Sequence, residues 1–141
     1  QALSEAGRDH DSTLVVAGDF TYVSGMQAAS ELLKLDNPPS AIFACNDDMA
    51  AGAIAAAHQA GLSVPQDVTV VGFDDTANAS ATWPPLTTIR QPIRDMARTS
   101  IEILSRSVAH KAAQTSPKPE KVTLDYDLVR RGSSAEPTQS D

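Results

Sequence analysis

The sequence has one cysteine, three histidines and only 4% aromatic residues in 141. A lone Cys45 excludes an internal disulfide framework and fits a reducing compartment, and so few thiols and imidazoles exclude a zinc cage. Positive charge is also scarce. Eleven basic against 18 acidic side chains leave a formal charge of −7, which repels phosphate backbones, so any contact with nucleic acid has to come from outside this stretch. Long apolar runs are missing: those at 41–45 and 68–73 end at polar residues, far short of the ~20 residues a membrane span needs. The first residues carry neither a basic nor an apolar leader region. No Gly-x-Ser-x-Gly elbow occurs, and no strand leads into a glycine-rich loop with a lysine, so hydrolase triads and phosphate-loop chemistry lack their signatures.

What is present is ordinary globular composition, 41% hydrophobic and 21% charged, enough for one core. Residues 14–17 are a short β-branched run ended by Gly18-Asp19, which predicts a buried strand leading into a loop. A helix is expected over 23–34, where Met26, Ala29, Leu32 and Leu33 recur at helical spacing until Asn37-Pro38-Pro39 stops it. A strand follows at 41–45, then a helix over 49–60 behind the capping side chains of Asn46-Asp47-Asp48, then a strand at 68–73. This alternation predicts an α/β fold, a parallel sheet flanked by helices with right-handed crossovers, whose ligands sit outside the strands' carboxyl ends.

Residues 76–88 turn to Ala, Ser, Thr, Asn and Pro and read as a loop. A long helix over 93–108 places Ile93, Met96, Ile101, Leu104 and Val108 on one face and Arg94, Arg98, Glu102 and Arg106 opposite, with His110-Lys111 at its negative end. Residues 112–120 form a polar connection, 122–126 alternate as a strand, and 132–141 read as a frayed tail. Residues 1–7 resemble the last turns of a helix ended by Gly7, so the chain is expected to be a piece of a longer protein.

Three strand ends carry polar signatures: Gly18-Asp19-Phe20, Asn46-Asp47-Asp48 and Asp74-Asp75-Thr76. On one rim they offer acceptors for hydroxyls and the Phe20 plane for C–H groups, which suits a sugar. The same residues also serve as helix caps and turn formers. A remote alternative places Mg²⁺ on Asp47 and Asp74 for phosphoryl chemistry. Cys45, in an apolar run, reads as a small buried hydrophobe. Trp83 suits ligand stacking, core cover or a subunit contact.

Three ordered motifs then carry a resemblance. Phe43-Ala44-Cys45-Asn46-Asp47-Asp48-Met49, Val70-Val71-Gly72-Phe73-Asp74-Asp75 and Pro84-Pro85-Leu86-Thr87-Thr88-Ile89-Arg90-Gln91 resemble, in order and spacing, the effector-binding domain of LacI/GalR-type transcription repressors. The resemblance extends over roughly 1–132. It implies half of a periplasmic-binding-protein-like (type I) core, with residues 1–91 as the second effector-binding subdomain, 92–127 as a helix and strand belonging to the first, and 128–141 as a return segment and disordered tail. The family's helix-turn-helix is absent from this chain, as are the first subdomain's other elements.

By the same resemblance Phe20 packs on a sugar ring, Asn46 and Asp74 accept from its hydroxyls, and Gln91 lines the cleft at the crossover. Met49, Ala53, Ala57, Asn78 and Trp83 become candidates for a homodimer interface. The expectation is a cytoplasmic, non-enzymatic regulator without cofactor or metal, whose partners are a small-molecule effector, a second copy and, through an N-terminal domain, operator DNA. An exported sugar-binding protein of a transporter is the alternative, which a signal peptide would reveal.

Overall fold

Two side-chain caps organise the first half of the fold. In the computed structural model, which describes residues 2–7, 11–112 and 120–136, the Thr21 side chain accepts from Ser24 N and starts α2 (Tyr22–Leu32). Asn46 accepts from Met49 N and starts α3 (Asp47–Gln59). Before them lies α1 (Ala2–Glu5), a single turn. A Cβ on Gly52 would sit 2.1 Å from the Tyr22 carbonyl oxygen, and one on Gly25 2.3 Å from that of Met49. Only glycine at both points lets α2 and α3 pack backbone to backbone.

The sheet runs β1 (Ala41–Phe43), β2 (Thr69–Asp74), β3 (Thr87–Arg90) and β4 (Asp127–Val129) in that spatial order. The first three strands are parallel, as expected for β1 and β2, and β4 joins β3 antiparallel; α4 (Ala77–Ala81) and β3 (Thr87–Arg90) stand where residues 76–88 were expected to form a loop. Between β2 and β3 lies α4 (Ala77–Ala81), and α5 (Ile93–Ala112) follows β3. Side-chain alternation gives the sheet two faces. Ile42, Ala44, Val70 and Leu86 join Ala29, Ala50, Ala53 and Ala57 of α2 and α3 in one apolar core. Phe43, Phe73 and Ile89 turn the other way and line an open hollow of about 540 Å³ with Gln91, Met96 and Tyr126. Ile93, Ile101, Leu104 and Val108 of α5 are exposed. No helix among the described residues is long and apolar enough to cross a membrane.

Several expectations are corrected. Residues 14–17 form no strand: Ser12–Leu14 is a 3-10 turn that Asp11 caps, and Val15, though extended at φ −120° and ψ 113°, pairs with no strand. Leu14, Val15 and Val16 instead border an apolar groove of about 450 Å³ whose other side includes Ile42, Phe43 and Cys45 of the β1 edge. A β-branched run makes a strand only where a neighbour completes its hydrogen bonds. The last strand lies at Asp127–Val129 and not at 122–126, and α5 continues four residues past 108, to Ala112.

The chain after 132 does not begin as a frayed tail. Ser133 is fully buried, its Oγ donating to the Val70 carbonyl at 2.6 Å and accepting from Thr87 N at 2.8 Å. Met49, Ala53 and Ala57, expected at a subunit contact, are buried on the inner side of α3 within this chain's own core, so they have no surface to give a second copy. Asn78 and Trp83 are exposed. Cys45 is exposed too, not a buried hydrophobe. His10, the side chains of His110 and Lys111, most of the connection at 112–120 and residues 137–141 lie outside the described residues.

Candidate functional site

Parallel register brings two of the predicted residues level. Phe43 pairs with Val71, so three residues on, Asn46 and Asp74 follow each other across the carboxyl ends of β1 and β2. Asp74 in turn pairs with Arg90 at the end of β3, which sets Gln91 one residue beyond the sheet. Phe20 reaches this rim without a strand beneath it, because Asn46 Nδ2 donates to the Phe20 carbonyl at 2.9 Å. Asn46 therefore caps α3 through its oxygen and holds the Phe20 loop through its nitrogen. The Phe20 side chain stays open to solvent, the residue being 63% exposed.

Gln91 Nε2 donates to Asp74 Oδ1 at 2.5 Å. The second oxygen of Asp74 has no hydrogen-bond partner among the described residues, which leaves an acceptor for an incoming hydroxyl. Backbone strain marks the same place. Among the described residues, the non-glycine positions with positive φ are Phe20 (67°), Asp74 (116°) and Asp75 (56°), and all three stand on the rim. Strained backbone of this kind concentrates where side chains are held ready for a ligand.

The neighbouring carboxylates have other work. Asp19 Oδ1 accepts from Thr21 N at 3.1 Å and from Thr21 Oγ1 at 2.6 Å. Those bonds, the Thr21 hydroxyl first, hold its pKa down at about 2 although it is exposed. Asp19 is thus a turn former. Asp47 is buried, Oδ1 accepting from the Thr88 hydroxyl at 2.6 Å and Oδ2 from Thr76 N at 2.6 Å. Gly72 makes room for it, since a Cβ there would come within 2.7 Å of Asp47 Oδ1. With both oxygens committed inside the fold, Asp47 is no ligand for the magnesium ion considered with Asp74, and no cluster of three or more metal-ligating side chains occurs among the described residues.

Asp75, expected on the rim as an acceptor or a turn former, has a different role in the structure. Its Oδ2 meets Arg90 Nε and its Oδ1 meets Arg131 Nη2, both at 2.6 Å, with the carboxylate side chain 7% exposed. Burial by itself raises the Asp75 pKa, but the hydrogen bonds and charges of Arg131 and Arg90 outweigh it and hold the group below its ordinary value. No spacing in the sequence announces the Asp75–Arg131 pair, because β3, α5 and β4 intervene. Trp83 is 82% exposed and borders a hollow of about 410 Å³ with His58, Val64, Pro65 and Gly132. It does not cover the core.

Comparison with known proteins agrees with this architecture. The family described as periplasmic binding protein-like domain matches residues 1–134. The ribose operon repressor of Escherichia coli (strain K12) is 38% identical over 133 residues, 94% of this chain and 39% of that protein. Catabolite control protein A of Priestia megaterium is 36% identical over 116 residues, 82% of this chain and 35% of that protein. Among solved structures, a transcriptional regulator CelR–cellobiose complex superposes with a TM-score of 0.85 at 37% identity, covering 94% of this chain and 39% of that one. The chain therefore spans about two fifths of the length of these relatives.

Proposed function

Since this chain belongs to the periplasmic binding protein-like domain family and is of the LacI/GalR type, we propose that it is the effector-binding and dimerising part of a DNA-binding transcriptional repressor that senses a sugar or a related small molecule. What supports this reading is that Asn46 bonds the Phe20 carbonyl and Gln91 bonds Asp74, with Asn46 and Asp74 at the carboxyl ends of parallel strands. An exposed aromatic face suits the C–H side of a sugar ring, and an acceptor with a free oxygen suits its hydroxyls. The complex of a relative with cellobiose supports the class of ligand.

Residues 1–91 then make one wall of the cleft, 92–127 cross to the opposite wall, and the chain from 128 returns. An effector bound between two walls favours one relative angle over another, and that difference alone sets its effect on operator affinity. The net charge of −7 keeps the DNA contact outside this stretch, in an N-terminal helix-turn-helix. Asn78 and Trp83 supply the exposed surface for a second copy. A cytoplasmic place and the absence of catalysis follow from the regulatory role.

The test is to read the complete open reading frame upstream of Gln1. A helix-turn-helix supports the repressor, whereas a signal peptide overturns it in favour of an exported sugar-binding protein.

A further inference from the structure

Two consecutive aspartates at the end of β2, Asp74 and Asp75, adopt positive φ, a conformation that a non-glycine residue keeps only where its surroundings over-determine it. The surroundings are specific. Asp74 bonds Gln91 and Asp75 bonds Arg90, so two adjacent acids are matched to two adjacent residues leaving β3. A third anchor comes from the far end of the chain: Arg131 Nη2 holds Asp75 Oδ1 while its Nη1 donates to the Leu86 carbonyl at 2.7 Å. Arg131 is itself fixed, its backbone N donating to Thr87 Oγ1 at 2.9 Å and its carbonyl accepting from that hydroxyl at 3.2 Å. The Asp75 side chain is only 7% exposed and both its oxygens are occupied, so its carboxylate has nothing to offer a ligand.

We propose that Asp75 is a positioning residue: clamped by Arg90 and Arg131, it fixes the backbone that presents the Asp74 carboxylate beside Gln91, and so ties the ligand rim to the return segment after β4. This rests on the reading of Asp74 as a ligand-facing group. It adds to that reading a physical link between the rim and the segments that enter and leave this sheet, β3 and β4, which any rotation of one cleft wall against the other must pass through.

The test compares wild type, Asp75→Asn and Arg131→Met by the NMR signals of the Gln91 side-chain amide in ligand-free protein, and by calorimetric titration with cellobiose and D-ribose. The expected result is that both variants remain folded by circular dichroism while the Gln91 amide moves to the shift of a free glutamine. For whichever sugar binds wild type, affinity falls at least tenfold. If Arg131→Met does not fold, Arg131→Lys keeps the charge but not the simultaneous reach to Leu86 and Asp75, and the same shift is expected. An unmoved Gln91 signal in folded variants, with only melting temperature lowered, reduces the clamp to a structural brace and overturns the proposal. The amide readout needs no ligand, so failure of both sugars to bind wild type counts against the sugar reading alone.

Discussion

Asp47 and Thr88 meet inside the fold, the Thr88 hydroxyl donating to Asp47 Oδ1 at 2.6 Å with both residues buried. Charge-assisted bonds in such a place contribute about 1.5–3 kcal/mol each, and removing one partner leaves the other desolvated and unsatisfied. Because Asp47 also accepts from Thr76 N, Asp47→Ala orphans two donors. It is expected to cost about 4 kcal/mol in urea unfolding, and Thr88→Val about half of that.

Ser133 makes a similar claim for the other end of the sheet. Its hydroxyl bridges Val70 and Thr87 and its backbone bonds Val70 N and Pro85 O. Ser133→Ala is expected to lower stability by about 2 kcal/mol, which lowers the melting temperature by roughly 8 °C in a domain of this size. A melting temperature unchanged within about 1 °C would mean that the residue is not wedged into the sheet.

The Asp75 ion pairs make stability depend on pH. The folded-state pKa lies below the ordinary value of 3.8, so the ionised carboxylate stabilises the fold. That contribution is complete above about pH 5 and is lost as pH falls through the folded-state value. Chemical denaturation of wild type and Asp75→Asn should therefore differ most near pH 7, with the difference shrinking as pH falls below about 5 and through the folded-state value. A gap that stays constant with pH would assign the difference to shape and not to charge.

Trp83 is exposed beside Pro84 and Gly132, so Trp83→Ala removes apolar surface without opening the core. For the proposed contact with a second copy, sedimentation equilibrium should show association at least tenfold weaker, with the thermal stability of the monomer unchanged. Met49→Ala acts oppositely, costing about 2–4 kcal/mol of fold stability because Met49 is buried against Gly18 and Gly25.

Helices α2 and α3 and strands β1 and β2 were legible in the sequence because each carries its own punctuation: Thr21 and Asn46 as caps, Pro38-Pro39 and Gly61 as stops, and β-branched runs between them; α4 and β3 were not, because residues 76–88 have a loop's composition. Asn46 and Asp74 followed from the ends of β1 and β2, whereas Phe20 has no strand beneath it. What failed depended on partners remote in sequence. Residues 14–17 have a strand's composition and no neighbour to bond. Ser133 looks like tail until Val70 and Thr87 accept it. The resemblance assigned Met49, Ala53 and Ala57 to a subunit contact, whereas in the structure α2 packs on that face of α3, Gly25 against Met49 and Gly52 against Tyr22. Asp75 looked like a turn because Arg131 stands on another element.

The rim built on Asp74 is proposed to bind a carbohydrate effector. The direct measurement is isothermal titration of the protein translated from the complete reading frame with cellobiose, D-ribose and a panel of further mono- and disaccharides, for wild type and Asp74→Ala. Saturable binding of at least one sugar is expected, weakened at least tenfold in an Asp74→Ala protein that folds normally, consistent with the ~1.5–3 kcal/mol of a hydrogen bond to a charged acceptor. Equal affinity in the two proteins, or no binding across the panel, would contradict it.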